Sequence, residues 1–123
     1  MQPELTDSIN SFAEALMATE EFSAYDAAQK AFQQDDSVRD LLTRLNTLSH
    51  ELGQKQQQDE LTDEDIELYR SLKTQFTENP TVAHLQEQEN KVTETFRECN
   101  HEISQELGLD FASNAAPSSC GCG

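Results

Sequence analysis

The chain has no tryptophan, only four glycines and three prolines in 123 residues, and no apolar run near the roughly 18 to 20 residues that a membrane-crossing helix needs. A membrane-spanning protein is not expected. Between Thr6 and Leu107 only Gly53 and Pro80 interrupt a sequence rich in Gln, Glu, Leu and Ala, so the composition reads as helix almost throughout. Basic residues are scarce: 8 Lys and Arg stand against 24 Asp and Glu, a formal net charge of -16, and they are scattered from Lys30 to Arg97. Nucleic-acid affinity comes largely from clustered Lys and Arg that displace phosphate counterions, so direct nucleic-acid binding is not expected. Met1 to Thr6 shows neither a basic n-region nor an apolar h-region, which argues against a secretory signal and leaves the cytoplasm as the expected location. Three cysteines are an odd number, which fits a reducing compartment better than a closed disulfide framework. Catalytic signatures are missing as well. There is no Gly-rich phosphate loop, no G-x-S-x-G elbow and no H-E-x-x-H, so an enzyme is not expected.

Apolar residues make up 35% of the chain, below the share an ordinary globular domain carries even when glycine is added. A single domain of this length buries only about two-thirds of its unfolded surface, so the core is expected to be thin. Helices that cannot hide an apolar stripe within one chain bury it against a second copy or a partner. The acidity has its own physical reading. Concentrated salt screens repulsion between carboxylates, and a high charge keeps the chain soluble there, as a halophilic source would require.

Five helices can be placed. The first is expected from about Asp7 to Thr19, where Ile9, Phe12, Ala13 and Leu16 recur on one face. A second, from about Glu21 to Gln34, carries Phe22, Tyr25 and Phe32 beside small residues at Ala24, Ala27, Ala28 and Ala31, which let a neighbouring helix approach closely. Asp35 and Asp36 form an N-cap for a third helix. Its stripe is Val38, Leu41, Leu42, Leu45, Leu48 and Leu52, and its end frays near Gly53 and Gln56 to Asp59. Thr62 caps a fourth, with Asp63, Glu64 and Asp65 at the positive end of its dipole and Ile66, Tyr69, Leu72 and Phe76 as its buried stripe. Asn79 and Pro80 start a fifth that runs to about Leu107 and stops at Gly108. Its seam of Val82, Leu85, Val92, Phe96, Cys99, Ile103 and Leu107 approximates a coiled coil, interrupted at Gln88 and Glu89.

Beyond Asp110 the composition turns to Ala, Ser, Gly and Cys, and a flexible tail is expected. Cys120 and Cys122 on that tail are close enough to grip one soft metal, but two ligands do not complete a zinc or iron-sulfur shell, so another chain, Cys99 or a partner would have to finish it. The bland reading is an incidental tail. Cys99 sits on the apolar seam, where free cysteine packs as a small hydrophobe. His50, His84 and His101 read as surface or boundary residues. Asp63, Glu64 and Asp65 lack the glycine and oxygen spacing of a calcium-binding loop, so they read as a solvated helix start.

With the helices in order, the chain is similar to the YlbF/YmcA family of small helical regulatory proteins over about Ile9 to Phe111. The resemblance lies in EEFSAYDAAQKAF, in DDSVRDLLTRLNTL, and in the NPTV start of the last long helix that ends in ISQELGLDF. It implies a non-enzymatic regulator that assembles with sister subunits and, in bacteria, influences competence, biofilm formation, sporulation and messenger-RNA processing through an endoribonuclease. The Cys-bearing tail looks like that of the YlbF branch. There tail cysteines help to bind an iron-sulfur cluster shared among subunits, and Cys120 and Cys122 are the matching residues here.

The expected architecture is therefore all-α. It is an antiparallel bundle of four to five helices over residues 7–110, between a disordered segment 1–6 and a flexible tail 111–123. The expected function is that of a cytoplasmic adaptor, a homodimer or part of a hetero-oligomer, whose partner interface uses Leu41, Leu45, Leu48, Leu52, Val92 and Phe96. Its protein partners would be itself, sister subunits or an RNA-processing enzyme. An iron-sulfur cluster or zinc shared between subunits is the candidate cofactor, and the other reading is no cofactor at all. The alternative is a metal- or redox-handling protein built around Cys120 and Cys122. A prefoldin-like holdase is a third reading, weakened by the lack of hairpin strands.

Overall fold

The computed structural model describes residues 1–117. Among the described residues run six helices and no strand: α1 Pro3–Met17, α2 Glu20–Gln34, α3 Asp36–Gln57, α4 Asp63–Glu78, α5 Pro80–Leu107 and α6 Phe111–Ala115. The all-α expectation holds.

Each boundary has a local cause. The Thr19 hydroxyl accepts a hydrogen bond from the Phe22 N–H at 3.2 Å and so separates α2 from α1. Asp35 caps α3, its Oδ1 accepting from the N–H groups of Ser37 at 3.0 Å and Val38 at 3.3 Å. Thr62 and Asp65 form a reciprocal capping box at the start of α4. Asn79 accepts from the N–H groups of Thr81 and Val82, and Pro80 occupies the first turn of α5. Gly108, at φ 73°, ends α5 in the left-handed region, and its N–H reaches the Ser104 carbonyl at 2.9 Å.

Only Asp35 stands between α2 and α3, and only Asn79 between α4 and α5. The result is two bent arms joined by the loop from Gln58 to Thr62. They run antiparallel, with α3 along α4 and α2 along α5. Lys55 meets Asp65 at 3.0 Å near the hairpin tip, while Phe32 and Phe76 stack edge to face at 6.3 Å beside the two bends.

The core is thin. Ala28, Val38, Leu45 and Val92 are the buried apolar residues of the protomer, with Gln88 as the buried polar one. Ala28 lies in the small-residue run of α2, where the lack of bulk lets α5 approach, and Gln88 faces inward where the apolar seam of α5 is interrupted. The two ridges are only partly covered within the chain. Leu41, Leu48 and Leu52 on α3 are half-buried, and Phe96 and Leu107 on α5 are exposed.

Two boundaries differ from the sequence expectation. Helix α1 begins at Pro3 rather than Asp7, because proline suits the first helical turn and Glu4 sits at the positive end of the dipole. The tail was expected to be irregular from residue 111, yet Phe111–Ala115 forms α6, tied back to α5. Cys120 and Cys122 lie outside the described residues.

Candidate protein-docking site

No helix among the described residues is long and apolar enough to cross a membrane. The surface features that stand out are instead apolar grooves between helices. Midway along the hairpin of α3 and α4, Leu48 and Glu51 of α3 face Leu68 and Leu72 of α4 across a groove of about 390 Å³ that Thr43, Arg44 and Thr47 complete. Leu68 is 57% exposed there. On the other side of the same hairpin, Leu52, Gly53 and Gln56 of α3 line a second groove of about 320 Å³ with Leu61, Ile66 and Tyr69. The capping box holds the hairpin tip in shape. Lys55 Nζ donates to Asp65 Oδ1 while the Thr62 N–H donates to Oδ2 at 3.1 Å, and these bonds, led by that from Lys55, draw the Asp65 carboxyl below its ordinary pKa.

The expected interface residues therefore divide. Leu48 and Leu52 line the hairpin grooves, Leu41 lines a shallow polar crevice with Ser37, Asp40, Thr43 and Arg44, and Phe96 is 46% exposed. Leu45 and Val92 do not belong with them. At 9% and 6% exposure they are buried within the protomer's own core, which corrects their assignment to a partner surface. Leu61 and Leu68 were not singled out from the sequence. Leu68 lies at the edge of the Ile66–Tyr69–Leu72–Phe76 stripe, and its i, i+4 spacing to Leu72 was the available signal.

At the opposite end, Asn100 anchors α6. Its Oδ1 accepts from the Ala112 N–H at 2.9 Å and its Nδ2 donates to Asp110 Oδ1 at 3.2 Å, while Ser104 Oγ accepts from the Phe111 N–H at 2.9 Å. Hydrogen bonds from Ser113 first and Asn100 second lower the Asp110 pKa. These bonds hold α6 beside α5. Cys99 is half-buried on the seam rather than enclosed in the core, and His50, His84 and His101 are exposed. Among the described residues no three His, Cys, Asp or Glu side chains converge on a point where a metal could sit.

A family model described as "Control of competence regulator ComK, YlbF/YmcA" matches residues 5–108. The chain belongs to the YlbF/YmcA family. The match runs from the first turn of α1 through the glycine that ends α5, so the family domain is the pair of bent arms with α1, and α6 with the cysteine tail lies beyond it. No curated protein and no solved structure gives a significant match.

Proposed function

We propose that this YlbF/YmcA-family regulator is a non-enzymatic adaptor that uses the α3–α4 hairpin to hold an amphipathic helix of another protein. The observation that carries the reading is Leu68, a large apolar side chain more than half exposed, beside Leu48 and Leu72 in a groove of about 390 Å³. An apolar groove of this kind takes an amphipathic helix through anchors at i, i+3, i+4 and i+7. Charge selects its flanks. Arg44 and Glu51 both line the groove, and the chain as a whole carries a net charge of -16, so a helix with Lys or Arg beside its apolar stripe is favoured over an acidic one. Sister subunits or an RNA-processing enzyme in the cytoplasm would be the source of that helix, and this part of the proposal comes from the family resemblance.

A synthetic Leu/Lys amphipathic helix is the direct probe. It is expected to bind the protein with an affinity that falls as salt rises, whereas a Leu/Glu helix of the same pattern does not bind. The doubly substituted Leu48→Glu, Leu68→Glu protein should keep its helical circular dichroism and lose the interaction. Equal binding by that variant would overturn the assignment of the groove.

Cys120 and Cys122 are the thiols that this proposal offers to an iron-sulfur cluster or a zinc ion shared between subunits. The described residues do not fit as the rest of such a shell, since Cys99 is half-buried and has no companion ligands, and the adaptor reading uses no metal. Anaerobic purification followed by iron, sulfide and zinc analysis tests the tail on its own. Metal lost in the Cys120→Ser, Cys122→Ser variant supports it, and metal absent from the unaltered protein removes it.

A further inference from the structure

Cations are the scarce charge in this chain, and most of them already hold an acid. Of the 8 Lys and Arg, six form ion pairs, five of these with a carboxylate three or four residues away on the same helix, as in Lys30 with Asp26 and Arg97 with Glu94. Arg44 and Lys73 are the other two. For Lys73 the sequence gives the reason, since Tyr69, Arg70, Phe76 and Thr77 occupy the positions where such an acid would stand. Arg44 has an acid available. Asp40 precedes it by one turn, in the acid-before-base order that suits a helix best, yet Arg44 pairs with no carboxylate among the described residues.

Arg44 instead lines two crevices at once. One is the polar crevice of about 380 Å³ with Ser37, Asp40 and Leu41, and the other is the apolar groove of about 390 Å³ with Leu48, Leu68 and Leu72. Thr43 also belongs to both, so the two run together along α3 from Ser37 to Glu51. At about 1.5 Å per residue that track is about 21 Å long, enough for roughly four turns of a docked helix. Arg44 stands at its middle, where the leucines give way to Ser, Asp and Thr.

We infer that Arg44 sets the specificity of this groove, and that the partner helix held there carries a carboxylate which pairs with the Arg44 guanidinium. The inference rests on the adaptor reading above and deepens it. The partner is cationic along most of its flanks, because the chain it meets is acidic overall, but it has one Asp or Glu about one turn from the apolar anchor that rests on Leu48. The planar fork of an arginine can take both oxygens of that carboxylate. Its neighbours bound the position. Asp40 lies one turn before Arg44 and Glu51 about two turns after it on the same track, so a carboxylate displaced either way meets repulsion instead of a partner. Long-range attraction counts the charges on a ligand, whereas a short-range pair reads where one of them sits.

The probe is the synthetic Leu/Lys helix with one lysine changed to glutamate, moved through the flank positions one peptide at a time. Every peptide of the series has the same composition and net charge, so the long-range attraction to the full chain is equal for all of them. Titrations with the unaltered protein are expected to show one favoured position, binding about fivefold tighter than the rest, the upper end of what one exposed ion pair supplies. Arg44→Gln should level the series, and Arg44→Glu should turn the favoured position into the weakest. Lys73→Gln, which removes a cation outside both crevices, should leave the profile as it was. Arg44 is exposed and glutamine is a good helix former, so circular dichroism should be unchanged, and the series on the unaltered protein decides the matter even if a variant unfolds. A level series there, or a peak that survives Arg44→Gln, would overturn the inference and leave the adaptor reading standing. A parent Leu/Lys helix that does not bind at all, with no member of the series binding either, would remove both.

Discussion

Asp35 and Thr81 tie the two bends of the molecule together: Asp35 Oδ2 accepts a hydrogen bond from Thr81 Oγ1 at 2.7 Å across 46 residues of sequence. The other carboxylate oxygen caps α3, and Thr81 belongs to the first turn of α5. One side chain thereby caps the break in the first arm and ties it to the break in the second, which Asn79 caps.

Hydrogen bonds from the Ser37 hydroxyl first and Thr81 second, with the Val38 and Ser37 N–H groups, hold the Asp35 pKa down at about 2 from 3.8. A depressed folded-state pKa means stability that is complete above the unfolded value and lost as pH falls through the folded one. Thermal melts are expected to show the contribution intact above about pH 4 and disappearing towards pH 2. Thr81→Val should destabilise by about 1 kcal/mol at pH 7 and by less at pH 2. An additive double-mutant cycle between Asp35→Ala and Thr81→Val would contradict a direct coupling.

The two glycines within the helical region are expected to respond to alanine with opposite signs. Gly108 sits at φ 73° with open space where a Cβ would go, so Gly108→Ala adds backbone strain alone and should cost about 1 kcal/mol, with Gly108→Asn costing less. Gly53 lies inside α3, again with nothing near its would-be Cβ, and Gly53→Ala should stabilise by roughly 0.4–1 kcal/mol. Chemical denaturation of both variants checks the pair. A loss at Gly53 would mean that the groove around it is filled in solution.

Much of the fold was legible because capping chemistry is local. Thr62 with Asp65, Asn79 with Pro80, and Gly108 mark boundaries that the structure reproduces, and Asp35 caps while Asp36 enters the helix. Pro3 was legible in principle, since proline at a first turn starts helices, but no apolar stripe precedes Leu5 to make that start visible. Helix α6 was not legible. It depends on Asn100 and Ser104, ten or so residues upstream, and such tertiary bonds leave no pattern in the segment they order. The same limit explains Leu45 and Val92, where periodicity identifies an apolar face without saying whether the chain itself or a partner covers it.

Asn100→Ala should release α6 while leaving the two arms intact, because its bonds to Asp110 and Ala112 are exposed and carry no core residue. Amide exchange is the appropriate measurement. Protection of the Phe111 and Ala112 amides is expected to vanish while that of α2 and α5 is unchanged. Loss of protection along α5 as well would show that α6 supports the long helix rather than merely resting on it.

Leu45 and Leu68 separate folding from recognition. Leu45 is buried between the arms, so Leu45→Ala should cost about 2–5 kcal/mol by removing apolar contact and leaving a cavity, and Val92→Ala about 2 kcal/mol on the same ground. With so few buried residues there is little else to absorb the loss, and either change should lower the melting temperature sharply. Leu68→Ala removes a side chain that already meets solvent, so stability should stay within about 0.5 kcal/mol while binding of the Leu/Lys helix weakens. Denaturation midpoints and binding titrations on the three variants read the two effects independently. If Leu45→Ala proved nearly neutral to folding, the buried side chains identified here would not be what holds the arms together.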